Sequence, residues 1–113
     1  MKNLYSLVSL VICLSVSSTV LAGGHSSVAV SGEDVFTTNC EKCHSGGIGG
    51  WMSGAPDVDD KSDWEAALPK GLVGLTATTI AGIGDMEPRG KCVTCTDDEI
   101  RAAIAYMLER INK

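Results

Sequence analysis

Cys40-Glu41-Lys42-Cys43-His44 is the segment of this 113-residue chain that most restricts what it can fold into. On a helix, positions i and i+3 share a face, so the two thiols project together and the imidazole follows at the next position. Thiols so placed reach the two vinyl groups along one porphyrin edge, and the histidine is carried under the iron. Residue composition gives roughly 0.004 chance occurrences of CxxCH along the chain. The pattern therefore predicts one covalently attached haem c, with Cys40 and Cys43 as thioether donors and His44 as an iron ligand. The competing reading, half of a zinc site completed by Cys92 and Cys95, fits poorly, because a zinc ribbon separates its pairs by about 15–20 residues. Here 48 residues intervene.

Composition agrees with a chain built around a cofactor. Only five residues are aromatic, few for a core of this size, while 44% apolar and 20% charged residues are the balance of one globular domain. The formal charge of −5 excludes binding nucleic acid by neutralising phosphates. At the start of the chain Lys2 precedes a serine-interrupted apolar run that ends in Val20-Leu21-Ala22, the pattern of a secretory signal cut after Ala22. The expectation is a signal peptide over residues 1–22 and a single domain over 23–113, exported to the periplasm. Ile12 before Cys13 does not suit lipid attachment. Loss of Lys2 takes the charge from −5 to −6 and leaves four cysteines, two CxxC pairs in an oxidising compartment.

Helix signals then organise the mature part. Ser31 with Asp34 is a capping pattern that opens a helix over about 32–43. Residues 45–54 hold five glycines and are expected to form an irregular loop. Ser62 and Glu65 suggest a capping box on a short helix carrying Trp64 and stopped near Pro69. Leu72, Leu75, Thr76, Thr79, Ile80 and Ile83 recur at helical spacing until Gly82 and Gly84, and a third helix is expected there. Thr96 and Glu99 form another capping box before Ile100, Ala103, Ile104, Met107, Leu108 and Ile111, an apolar stripe at steps of three and four. No alternating, strand-like run occurs, so the fold class is all-α, about four short helices around one haem.

A second iron ligand must come from His25, Met52, Met86 or Met107. Met107 lies on the apolar stripe and reads as core, and His25 sits in a loose lead-in. Met52 remains an open candidate, because its glycine-rich stretch is flexible enough to reach many places, though the same flexibility suits a held ligand badly. Met86, in Gly82-Ile83-Gly84-Asp85-Met86-Glu87-Pro88, has glycines for turning and a proline for stiffness, and is the expected ligand. Cys92 and Cys95 are not needed for attachment. They are expected to pair as a structural disulfide that ties the Met86 loop to the last helix; the alternative, a working redox dithiol, needs a low-pKa thiolate that only Lys91 could support.

CxxCH after a short helix, Gly54-Ala55-Pro56, a helix with Trp64, the loop around Met86, and Cys92-Val93-Thr94-Cys95-Thr96-Asp97-Asp98-Glu99 together resemble the small bacterial cytochrome c5 family, over residues 32 to about 107. The resemblance implies a class I cytochrome c fold. It further implies that Gly32 and Phe36 meet Tyr106 where the first and last helices cross, and that the Pro56 carbonyl receives the His44 ring. Two departures stand out: Met86-Glu87-Pro88 replaces the family's Met-Pro-Pro, and residues 48–53 look like a short insertion bringing Trp51 and Met52.

With His44 and Met86 both on iron no position is left for a substrate, so the expected role is one-electron transfer between ferric and ferrous states, not enzymatic catalysis. A thioether ligand and a buried ring favour a high potential. The expected partners are redox proteins, such as a periplasmic or membrane-bound oxidase or reductase, and the carrier itself is expected to be a monomer. Ile48 and Trp51, with the glycines beside them, could supply an apolar rim for docking. The competing functions are a ligand-binding haem protein or sensor with a displaceable sixth ligand, and an electron-transfer subunit dedicated to one enzyme complex.

Overall fold

The structure, a computed structural model, describes residues 29–113; the expected signal peptide, Cys13 and His25 lie outside the described residues. Helix α1 (Gly32–Asn39) starts where the sequence places it. Ser31 is extended, and its hydroxyl oxygen accepts the Asp34 N–H at 3.1 Å. The expected continuous helix to residue 43 is instead broken at Cys40 (φ −114°), and α2 (Glu41–His44) follows as a separate turn. The Cys40 carbonyl accepts the N–H groups of both Cys43 and His44, at 3.1 and 3.0 Å, so the motif closes on itself.

Residues 45–54 correct the sequence expectation. They contain a seven-residue helix, α3 (Gly47–Ser53), rather than an irregular loop. Glycine costs about 1 kcal/mol per position in a helix interior, but here it permits a close approach. A β-carbon on Gly49 would collide with the Lys42 carbonyl oxygen, and one on Gly50 would lie 3.2 Å from that of Cys43. Packing of α3 backbone on α2 backbone thus overrides propensity.

A second correction concerns Trp64. Asp60, not Ser62, is the cap: its carboxylate accepts the Ser62 N–H at 3.0 Å, and Glu65 closes the turn at the other end. The expected short helix is two 3-10 turns, Lys61–Trp64 and Leu68–Lys70, and Pro69 lies at the start of the second instead of stopping the first. Helix α4 (Gly71–Ala81) ends where Gly82 adopts φ 82°. Helix α5 (Asp97–Ile111) carries the expected capping box, with Glu99 N–H donating to Thr96 Oγ1 at 3.2 Å and Thr96 N–H to Glu99 Oε2 at 2.7 Å. Among the described residues there is no strand, only an isolated bridge between Ile83 and Met86.

Helices α1 and α5 cross at Gly32, where a β-carbon would strike the Ala102 carbonyl oxygen. Phe36, fully buried, meets the Tyr106 ring at 5.4 Å between centroids, as the family resemblance implies. The Arg110 guanidinium lies 5.4 Å from the Phe36 ring centre and grips both Asp59 carboxylate oxygens at 2.6 and 2.7 Å. The buried side chains form two clusters. One joins Val35, Phe36, Val58, Trp64, Ala103, Met107 and Ile111; the other joins Leu75, Ile100 and Ile104. Members of both face one central cavity.

Candidate functional site

That cavity has a volume of about 440 Å³, within the span of roughly 300–1,000 Å³ that holds small ligands and cofactors. Cys40, Cys43 and His44 line it from the α1–α2 junction, Pro56 and Trp64 from the following loop and turn, Leu75 and Thr79 from α4, Met86 and Arg89 from the loop after α4, and Ile100, Ile104 and Met107 from α5. The wall is mainly aliphatic, which suits a flat apolar macrocycle and excludes water from its centre.

His44 is buried and held from several directions. Its Nδ1 lies 2.9 Å from the Pro56 carbonyl oxygen, and a carbonyl only accepts, so Nδ1 carries the proton and Nε2 keeps its lone pair. The Trp64 ring packs 5.6 Å from the imidazole, and Trp64 Nε1 donates to the Asp57 carbonyl at 2.7 Å. Val58 N–H donates to the His44 carbonyl at 2.8 Å. The result is an imidazole with a fixed tautomer and a restricted orientation, as a metal ligand requires.

Burial, and secondarily the neighbouring Cys43, pushes the Cys40 thiol up to about 11. That is opposite to a thiolate tuned for redox exchange or zinc. Among the described residues no group of three or more His, Cys, Asp or Glu side chains could hold a metal ion. Cys92 and Cys95 are joined in a disulfide, with α-carbons 5.4 Å apart, which removes the zinc alternative and accords with the expected pairing.

Met86 is half-buried on the cavity wall. Ile83 and Met86 exchange backbone hydrogen bonds at 3.0 and 2.9 Å around Gly84, which supplies the positive φ of 56° that a type II′ turn asks of its first central residue. Met52 is 75% exposed on α3 and does not line the cavity. Met107 does, but as a buried member of the α1–α5 core. Sequence reasoning missed Arg89, a residue on the cavity wall; Pro88-Arg89-Gly90 reads only as a turn, and nothing local marks it as part of the site.

A family model described as "Cytochrome C oxidase, cbb3-type, subunit III" matches residues 27–107. The chain is 41% identical over 81 residues to cytochrome c5 of Azotobacter vinelandii, covering 70% of this chain and 93% of that one. It is 40% identical over 81 residues to cytochrome c5 of Ectopseudomonas mendocina, covering 70% and 88%. The chain belongs to the cytochrome c5 family of class I cytochromes c. Among solved structures it resembles a chain in the "crystal structure of electron transfer complex of nitrite reductase with cytochrome c", at a TM-score of 0.62 and 35% identity over 71% of this chain and 93% of that one. A member of the cytochrome c5 family carries one covalently attached haem c, and the cavity fits it: the paired thiols, the oriented imidazole and an apolar wall of suitable volume occur together. Haem would fill the space between the two buried clusters, which explains how so few aromatic residues suffice for a core. No helix among the described residues is long and apolar enough to cross a membrane.

Proposed function

We propose that this c-type cytochrome is a periplasmic one-electron carrier in which Cys40 and Cys43 form the thioether bonds and His44 and Met86 are the axial ligands. Residues 1–22 are the signal peptide removed on export. The observation that carries the reading is the convergence of Cys40, Cys43, His44 and Met86 on one apolar cavity. When bound, haem supplies the one-electron chemistry. The chain's own residues orient and protect: Pro56 sets the His44 tautomer, Trp64 blocks rotation of the imidazole, the α4 and α5 aliphatic side chains keep water out, and the Cys92–Cys95 disulfide anchors the loop that bears Met86. Sulfur ligation and burial both favour the ferrous state and so raise the potential.

The partners are redox proteins, a reading supported by the likeness to a chain in a crystal structure of an electron transfer complex of nitrite reductase with cytochrome c. Helix α3 offers them an uncharged face: Ile48, Trp51 and Met52 are 78%, 85% and 75% exposed at positions i, i+3 and i+4, and the helix lies against the backbone of exposed Cys43. A dedicated enzyme subunit is the second reading, favoured by the family description naming an oxidase subunit; it requires the cytochrome to co-purify with one catalytic partner. Visible spectra of both redox states with and without carbon monoxide test the first. A thioether charge-transfer band in the ferric protein and no rapid carbon monoxide binding are expected, whereas rapid binding would establish a ligand-binding protein instead.

A further inference from the structure

Arg89 combines an unfavourable backbone with a well-held side chain. It sits at φ 62°, ψ 16°, followed by Gly90 at φ 57°, ψ 32° and Lys91 at φ 67°. Three successive left-handed residues, two of them with β-carbons, do not arise from local preference. The guanidinium supplies what the backbone lacks. Nη1 donates to Asp97 Oδ1 at 2.8 Å and Nη2 to the Cys95 carbonyl oxygen at 2.5 Å, with the side chain only 26% exposed. Arg89 therefore spans from the Met86 loop to the disulfide and to the first residue of α5.

The other side of the same turn touches Met86. A β-carbon at Gly90 would lie 3.4 Å from the Met86 methyl carbon, so the left-handed run brings bare backbone up against the methionine side chain. Gly90 N–H donates to the Glu87 carbonyl at 2.9 Å, and Cys92 N–H to the Arg89 carbonyl at 3.0 Å, which closes the turn around that contact. At the start of the loop Gly82 has room for no β-carbon, since Pro88 N and Met86 O would lie 2.8 and 2.9 Å away. Met86 is thus enclosed by a turn in which one of the two unfavourable residues, Arg89, is held by two side-chain hydrogen bonds.

We propose that Arg89 is a positioning residue for Met86: its guanidinium locks the left-handed turn that holds Gly90 against the Met86 methyl, and so sets how firmly the sulfur stays on the iron. This rests on the reading of Met86 as sixth ligand. Arg89 acts through geometry, because lysine keeps the charge but has no planar fork to span Cys95 and Asp97 together. Glycine suits the backbone but provides no lock.

The test is imidazole binding to the ferric holoprotein, followed by loss of the thioether band. Arg89→Lys and Arg89→Gly should each bind imidazole about tenfold more tightly than the wild type, and Asp97→Asn, an exposed change that spares the Cys95 bond, should shift affinity in the same direction by less. Wild-type affinity in Arg89→Lys would overturn the proposal in favour of a charge effect, and wild-type affinity in Arg89→Gly would show that no lock is needed. Met86→Ala separates the two levels. If it keeps the band, the ligand reading fails and Arg89 falls with it; if it loses the band while both Arg89 variants behave as wild type, only the Arg89 inference fails.

Discussion

The Pro56 carbonyl accepts the His44 Nδ1 proton at 2.9 Å although twelve positions separate the two residues. Most of the intervening chain is α3, the apparent insertion, which folds flat onto Lys42 and Cys43 through its glycines instead of prising the contact apart. An added segment is thereby accommodated without releasing the imidazole.

Gly49 should consequently be intolerant of a side chain. Gly49→Ala drives a methyl into the Lys42 carbonyl and is expected to cost about 1–3 kcal/mol as overpacking. Gly54→Asn, in open space at φ 64°, should be close to neutral, because asparagine tolerates the left-handed region. Denaturant unfolding of the holoprotein compares the two.

Met86→Ala is expected to remove the thioether band, lower the reduction potential and admit carbon monoxide. Met52→Ala should leave the spectrum nearly unchanged, since that side chain is exposed and off the cavity wall. Spectroelectrochemical titration reads both variants; loss of the band in Met52→Ala would reverse the assignment.

The uncharged face of α3 should matter for association and not for the haem. Trp51→Ala combined with Ile48→Ser is expected to slow second-order electron transfer to a redox partner protein several-fold at unchanged potential. If charge also steers docking, the wild-type rate falls as salt rises; a flat salt profile leaves the apolar face as the main determinant.

Acid should weaken the turn that presents Trp64. Hydrogen bonds from the Ser62 hydroxyl and N–H hold the Asp60 carboxyl below its ordinary value. A lowered folded-state value means that its contribution is present above the unfolded carboxylate range, near pH 4, and is lost as pH falls through the lower native one. Asp60→Asn should flatten the acid limb of the stability profile, measured by thermal unfolding between about pH 2 and 6.

Features that depend on a few neighbouring residues were legible in the sequence. The CxxCH turn, the Ser31–Asp34 cap, the Thr96–Glu99 box and the α5 stripe each follow from spacing along one helix, where backbone geometry brings the partners together without help from the rest of the fold. The turn that bears Met86 was legible because its glycines and proline describe it in their own right. Tertiary structure decided the rest. Five glycines between residues 45 and 54 read as a loop until the carbonyls of Lys42 and Cys43 show why a helix there must lack β-carbons. The turn bearing Trp64 starts at Lys61, so Asp60 displaces Ser62 as its cap, and Trp64 itself packs on His44. The left-handed conformation of Arg89 opposes its own intrinsic preference and is held by Cys95 and Asp97, partners six and eight residues further along the chain.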